Sequence, residues 1–98
     1  MSHEASINSL VADNKLVVYS KTYCPHAGAT KTRIQNEGLA AKIVELDTMG
    51  NEGAEIQATL KAMTGQGTVP SVWIAGKHIG GNSDFQAMSI EDIKAAMA

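Results

Sequence analysis

Cys24 is the only thiol in this chain, and a proline and a histidine follow it at once in the run Val17-Val18-Tyr19-Ser20-Lys21-Thr22-Tyr23-Cys24-Pro25-His26-Ala27. Proline suits the first position of a helix, where its missing N–H would lack an intrahelical acceptor anyway, so Pro25 places Cys24 at the positive end of a helix dipole. A thiolate is favoured there, and the thiolate is the form that attacks disulfides. A lone cysteine is more often a small buried hydrophobe, but Lys21, Thr22, Pro25 and His26 around this one argue for exposure. His26, when protonated, would favour the anion further. Adjacent helical residues do not face each other, so His26 reads as a modulating group rather than a paired base. A second unusual site is Thr68-Val69-Pro70, where proline opens an apolar run; it cannot donate a ladder hydrogen bond, which suits a strand end or bend, and a cis peptide fits there.

These residues need a scaffold, and the chain alternates strand-like and helix-like segments. Ile7, Leu10 and Val11 fall at helical spacing before an Asp13-Asn14 stop, and Leu16–Tyr19 reads as a short buried strand. A helix is expected from Pro25 to about Glu37, with Gly38 as its stop. Residues 42–46 read as a second strand, and Ile56, Leu60 and Met63 as the stripe of a helix ended by Gly65. Residues 71–75 give a third strand, Gly76-Lys77 a turn, and His78-Ile79 a brief fourth strand. Ser89 with Asp92 resembles a capping box opening a last helix that carries Ile90, Ile93 and Met97. The alternation indicates an α/β layer structure.

With 98 residues the chain is expected to form one domain, residues 1–98. One cysteine excludes an internal disulfide and points to a reducing compartment. No basic leader followed by an apolar run and no stretch of membrane-spanning length is present, so a soluble, cytoplasmic protein without a membrane partner is expected. A formal charge of −2 argues against nucleic acid as a partner. Charge is uneven, however: Lys15, Lys21, Lys31 and Arg33 lie in a segment with no acid, which would attract an anionic thiol substrate.

Taken together, Lys21-Thr22-Tyr23-Cys24-Pro25, Gly65-Gln66, Thr68-Val69-Pro70 and Gly76-Lys77-His78-Ile79-Gly80-Gly81-Asn82-Ser83-Asp84 resemble the glutaredoxins, above all the dithiol class with a Cys-Pro-Tyr-Cys site and its fungal members. The resemblance implies a thioredoxin fold, a four-stranded mixed sheet flanked by helices on both faces, with a cis Pro70 beside the site. It implies Cys24 as nucleophile and glutathione as co-substrate. By the resemblance, the backbone of Val69 would hold the cysteinyl part of glutathione, flanked by Thr68 and Pro70. Ser83 and Asp84, after Gly81 and Asn82, would hold the γ-glutamyl end. Lys21 and Gln66 would meet the glycyl carboxylate, while Pro25 and His26 border the tripeptide from the helix. Expected partners are glutathione and glutathionylated proteins or small disulfides, and the expected state is a monomer.

Three departures from that pattern carry consequences. Ala27 stands where the second cysteine belongs, either natively or as a replacement that traps an intermediate, and it cannot resolve a mixed disulfide. A one-thiol route follows, with protein-disulfide reduction expected to be lost. His26 stands in place of the frequent tyrosine and could stack over the tripeptide. Gly67 stands where relatives commonly place lysine or arginine, removing one cation for the glycyl carboxylate and leaving Lys21 as the main partner. A rival reading is a glutathione-ligated [2Fe–2S] carrier, to which proline after the cysteine is less suited. A metal site from Cys24, His26 and His78 lacks a fourth ligand, so no metal is expected. His3 is expected to lie in a frayed terminus, His78 to be structural, and Trp73 and Phe85 to serve packing.

Overall fold

Leu16-Val17-Val18-Tyr19 shows no polar alternation, so a strand made from it must be covered on both faces. In the computed structural model, which describes residues 2–98, it forms the inner strand β1 (Leu16–Ser20), buried at every position. The chain runs α1 (His3–Asp13), β1, α2 (Pro25–Asn36), β2 (Lys42–Glu45), a 3-10 turn (Leu46–Thr48), α3 (Asn51–Thr64), β3 (Ser71–Ile74), β4 (Lys77–Gly80), α4 (Asn82–Gln86) and α5 (Ile90–Met97). The four strands form one mixed sheet in the order β2-β1-β3-β4. β1 is parallel to β2 and antiparallel to β3, and β4 is antiparallel to β3. The thioredoxin-fold expectation is met.

Successive strand residues point to opposite faces, and the core divides accordingly. Val17, Tyr19 and Trp73 pack with Ile7 and Val11 of α1 and Ile56 and Leu60 of α3. Leu16, Val18, Val72 and Ile74 pack on the other face with Ile34, Phe85 and Ile93 of α2, α4 and α5. Trp73 and Phe85 are therefore packing residues. α3 lies so close to the 3-10 turn that a Cβ at Gly53 would stand 1.9 Å from the Leu46 carbonyl oxygen; only glycine fits there.

Topology explains why distant residues converge. Antiparallel pairing sets Tyr19 opposite Ser71 and Val72 opposite Gly80. The end of β1, the start of β3 and the end of β4 thus share one edge of the sheet, which gathers Cys24, Pro70 and Gly81.

Four details differ from the sequence reading. The β3–β4 turn is Ala75-Gly76, with φ of 49° and 80°, because a two-residue turn with positive φ at both positions matches strand twist; Lys77 is thereby released to open β4. β2 ends at Glu45, and Leu46 turns inward as the first residue of the 3-10 turn. His3 does not fray: Ser2 Oγ accepts from the Ala5 N–H at 3.2 Å, and His3 Nε2 lies 2.8 Å from Glu55 Oε1 on α3. The short α4, built from Asn82–Gln86, adds a helix between β4 and the last helix. α5 is as expected, with Ser89 Oγ accepting from the Asp92 N–H at 3.1 Å.

Candidate active site

Cys24 is the N-cap of α2 and Pro25 its first residue. The Cys24 carbonyl accepts from the Gly28 N–H at 2.9 Å, and its own N–H donates to the Lys21 carbonyl at 3.2 Å. The sulfur makes no capping bond, so it stands beside the unpaired N–H groups that give the helix start its partial positive charge. Cys24 is half-buried, less open than its polar neighbours suggested. Tyr23 beside it is 71% exposed, and Ala27 below it is 0% exposed.

The loop that carries the thiol is pinned from the 3-10 turn that follows β2. The Thr22 N–H donates to Asp47 Oδ1 at 2.9 Å, and Thr22 Oγ1–H donates to Asp47 Oδ2. These two bonds, helped by the nearby Lys21 charge, hold the Asp47 carboxyl below its ordinary range. The partners are 25 positions apart, and no local signal in the sequence joins them. The four-cation segment does not form one patch: Lys31 pairs with Glu45 at 2.8 Å and Arg33 with Glu37 at 2.6 Å, and Lys15 precedes the far end of β1. Lys21 is the cation left near the thiol.

The facing wall is the loop before β3. The Val69-Pro70 peptide is cis, and the Cys24 thiol donates to the Val69 carbonyl at 3.7 Å. Gln66 fixes this loop: its Nε2 donates to the Thr68 carbonyl at 2.9 Å and the Pro70 carbonyl at 2.8 Å, while its Oε1 accepts from His78 Nε2–H at 2.9 Å. Both amide N–H groups of Gln66, the residue expected to meet a glycyl carboxylate, are engaged within this loop. His78 stands against Trp73, with ring centroids 5.2 Å apart. Burial lowers its pKa below the ordinary 6.5, opposed by the charge of Asp84. His78 is structural, as expected.

The third side is the turn into α4. The Gly81 N–H donates to Asp84 Oδ2 at 3.0 Å, which folds that carboxylate over Gly80; a Cβ there would lie 2.3 Å from Oδ2, and φ is 134°. Glycine is required on both counts. Asn82 Oδ1 accepts from Thr30 Oγ1–H at 2.8 Å and from Gln86 Nε2–H at 3.1 Å, tying α4 to α2. Ser83 and Asp84 are exposed.

Between these walls lies an open cleft of about 480 Å³ lined by His26, Thr68, Val69, Pro70, Gly81, Asn82 and Ser83. Seven of the expected residues therefore line one cavity, and Cys24 adjoins it through Val69. Pro25 and Asp84 directly adjoin lining residues in sequence, whereas Lys21 and Gln66 are not among the residues that line it. A thiol beside an extended backbone segment and an exposed carboxylate can take a disulfide on a peptide-like carrier. A second cleft, between Asp13–Leu16, Ala40–Lys42 and Met97, contains no thiol or histidine. Among the described residues no three His, Cys, Asp or Glu side chains cluster to hold a metal, and no helix is long and apolar enough to cross a membrane.

Comparison with known proteins agrees with this geometry. The glutaredoxin family profile matches residues 16–79. The chain is 46% identical over 96 residues to the chloroplastic monothiol glutaredoxin-S12 of Arabidopsis thaliana, covering 97% of this chain and 54% of that one. It is 41% identical over 86 residues to glutaredoxin-1 of Saccharomyces cerevisiae, covering 84% and 77%. The chain spans about half the length of several plant relatives it matches. Among solved structures, wheat glutaredoxin superposes with a TM-score of 0.88 at 41% identity, covering 97% of this chain and 90% of that one. A buckwheat glutaredoxin–glutathione complex does so with 0.87 at 36%, covering 97% and 86%. A thiol at a helix start, a cis-proline wall and a Gly-Gly turn thus meet in a chain that belongs to the glutaredoxin family.

Proposed function

We propose that this chain is a glutathione-dependent thiol–disulfide oxidoreductase that reduces glutathione mixed disulfides through Cys24 alone. The observation that carries this reading is the pairing of a half-buried Cys24, which adjoins the cleft through Val69, with a fully buried Ala27 one helical turn below. The Cys24 thiolate attacks the glutathione sulfur of a substrate mixed disulfide, forming Cys24–S–S–glutathione and releasing the substrate thiolate. A second glutathione thiolate then attacks the bound glutathione sulfur, leaving oxidised glutathione and a free Cys24 thiolate. The net change is one mixed disulfide and one glutathione converted to one thiol and one glutathione disulfide.

Each wall has a part in this. The Val69 N–H and carbonyl pair with the cysteinyl backbone of glutathione, as an added strand would. Asp84 meets the γ-glutamyl ammonium, while Ser83 and the first N–H groups of α4 meet its carboxylate. Lys21 offers a charge to the glycyl end, and His26 borders the tripeptide. The glutathione bound to the buckwheat relative supports this choice of ligand. Protein disulfides are poor substrates because position 27 carries no sulfur to resolve the intermediate.

Intact mass measurement after exposure to oxidised glutathione tests the reading. One glutathione per chain is expected, mapped to Cys24 by digestion and lost on addition of free glutathione. No adduct at Cys24 would refute it.

A further inference from the structure

Gly67 presents no side chain, yet the space beside it is filled. A Cβ built on Gly67 would lie 3.0 Å from Lys61 Cδ, 3.3 Å from Cγ and 3.6 Å from Cβ. The aliphatic stem of Lys61, from the last turn of α3, therefore runs across the position where a side chain at 67 would begin. Gln57, one turn earlier on the same face, donates from Nε2 to the Gly67 carbonyl at 2.8 Å, which fastens the loop to α3 beneath that stem. Lys61 is exposed, and among the described residues no acidic group pairs with it, unlike Lys31 and Arg33. Its ammonium, two bonds beyond Cδ, is thus carried past Gly67 with its charge uncompensated.

An extended tripeptide paired with Val69, with its γ-glutamyl end at Ser83 and Asp84, must direct its other end away from Gly81 and toward Thr68 and Gly67. That end bears the glycyl carboxylate. We infer that Lys61 supplies, from α3, a cation that binds the glycyl carboxylate of glutathione, occupying by its stem the place that Gly67 leaves open. This rests on the glutathione reading above and adds a second cation, besides Lys21, to a position that the sequence leaves with one. Gly67 is then an accommodation to Lys61, since any side chain there would displace the stem.

The test compares two small disulfides of 2-mercaptoethanol, one with glutathione and one with γ-glutamylcysteine, which lacks the glycyl carboxylate. Lys61→Ala should raise KM for the glutathione disulfide about three- to fivefold, as for a partly exposed ion pair, with kcat and the rate of Cys24 alkylation unchanged. KM for the γ-glutamylcysteine disulfide should not move. Lys61→Arg should retain the parent KM, and the double variant Lys61→Ala with Gly67→Lys, which places a cation in the vacated space, should recover most of the loss. The difference between parent and Lys61→Ala should shrink as ionic strength rises. An unchanged KM for the glutathione disulfide in Lys61→Ala, or an equal rise for both disulfides, would overturn the assignment of Lys61 while leaving the glutathione reading intact. If the parent turns over neither disulfide, the glutathione reading fails and the assignment with it.

Discussion

The two walls of the active site are built in opposite ways. The thiol wall, residues 20–27, is local: a strand ends, a turn closes between Lys21 and Cys24, and Pro25 starts a helix whose dipole faces the sulfur. Its distant partners are Asp47, which holds Thr22, and the Val69 carbonyl, which accepts from the thiol. The docking wall, residues 66–70 and 80–84, is a network: Gln66 joins the Thr68 and Pro70 carbonyls to His78, and Asp84 folds back on Gly81. The difference separates two properties that the proposed disulfide exchange must combine. Reactivity of the sulfur resides in a few consecutive residues, whereas recognition of the carrier depends on side chains that only the fold brings together. Damage to one wall should therefore spare the function of the other.

The largest effect tests the thiol wall. Cys24→Ser should lower turnover of a glutathione mixed disulfide by at least about 10³-fold, the scale of losing a nucleophile, while leaving the melting temperature nearly unchanged. Steady-state kinetics with parallel thermal melts would show this.

Gln66→Leu strikes the docking wall. It leaves the Thr68 and Pro70 carbonyls and His78 without their amide partner, so stability should fall by about 1–3 kcal/mol and KM should rise. Iodoacetamide alkylation of Cys24 should keep its rate. A parallel loss of alkylation rate would mean that the two walls are not separable.

A smaller change is expected for Asp84→Ala. Removing one charge-assisted contact should weaken kcat/KM for the mixed disulfide about tenfold, again with Cys24 alkylation intact. Equal activity of variant and parent at low glutathione concentration would remove Asp84 from the ligand contacts.

The smallest effect is a pH dependence confined to the docking wall. His78 has a folded pKa below its ordinary 6.5 because burial disfavours the imidazolium. Below about pH 6.5 the unfolded chain binds this proton first, so stability is full above that value and declines as pH falls toward the folded pKa. His78→Gln should flatten this part of the stability curve, measured by denaturant melts between pH 7.5 and 5.5, relative to the parent. Asp47, with a folded pKa below its ordinary 3.8, acts later. Its contribution is present above pH 3.8 and is lost only as pH falls through the lowered value, so the two groups titrate in separate windows.

The same contrast explains what could be read from the sequence. β1 and β3 were legible because buried strands are short continuous apolar runs, and α2 because Pro25 and Gly38 mark its ends. Cys24 at a helix start and Pro70 at a strand start were legible for the same local reasons. The Asp47–Thr22 anchor, the inward amide of Gln66 and the stem of Lys61 over Gly67 were not, since each joins segments whose proximity depends on strand order and helix packing. The extent of α4 was not legible, because five residues are too few to show a helical period. The Ala75-Gly76 turn was misplaced by one residue because alanine rarely adopts positive φ.

Ala27 makes the central claim directly testable. A sulfur introduced at this buried position would lie one helical turn from Cys24, close enough for thiol–disulfide exchange. The decisive measurement is reduction of insulin disulfides and of a glutathione mixed disulfide by the present chain and by Ala27→Cys, under identical glutathione concentrations. The one-thiol account predicts that both forms reduce the glutathione mixed disulfide and that only Ala27→Cys reduces insulin efficiently. Equal reduction of insulin by the two forms, or no mixed-disulfide activity in the present chain, would contradict it.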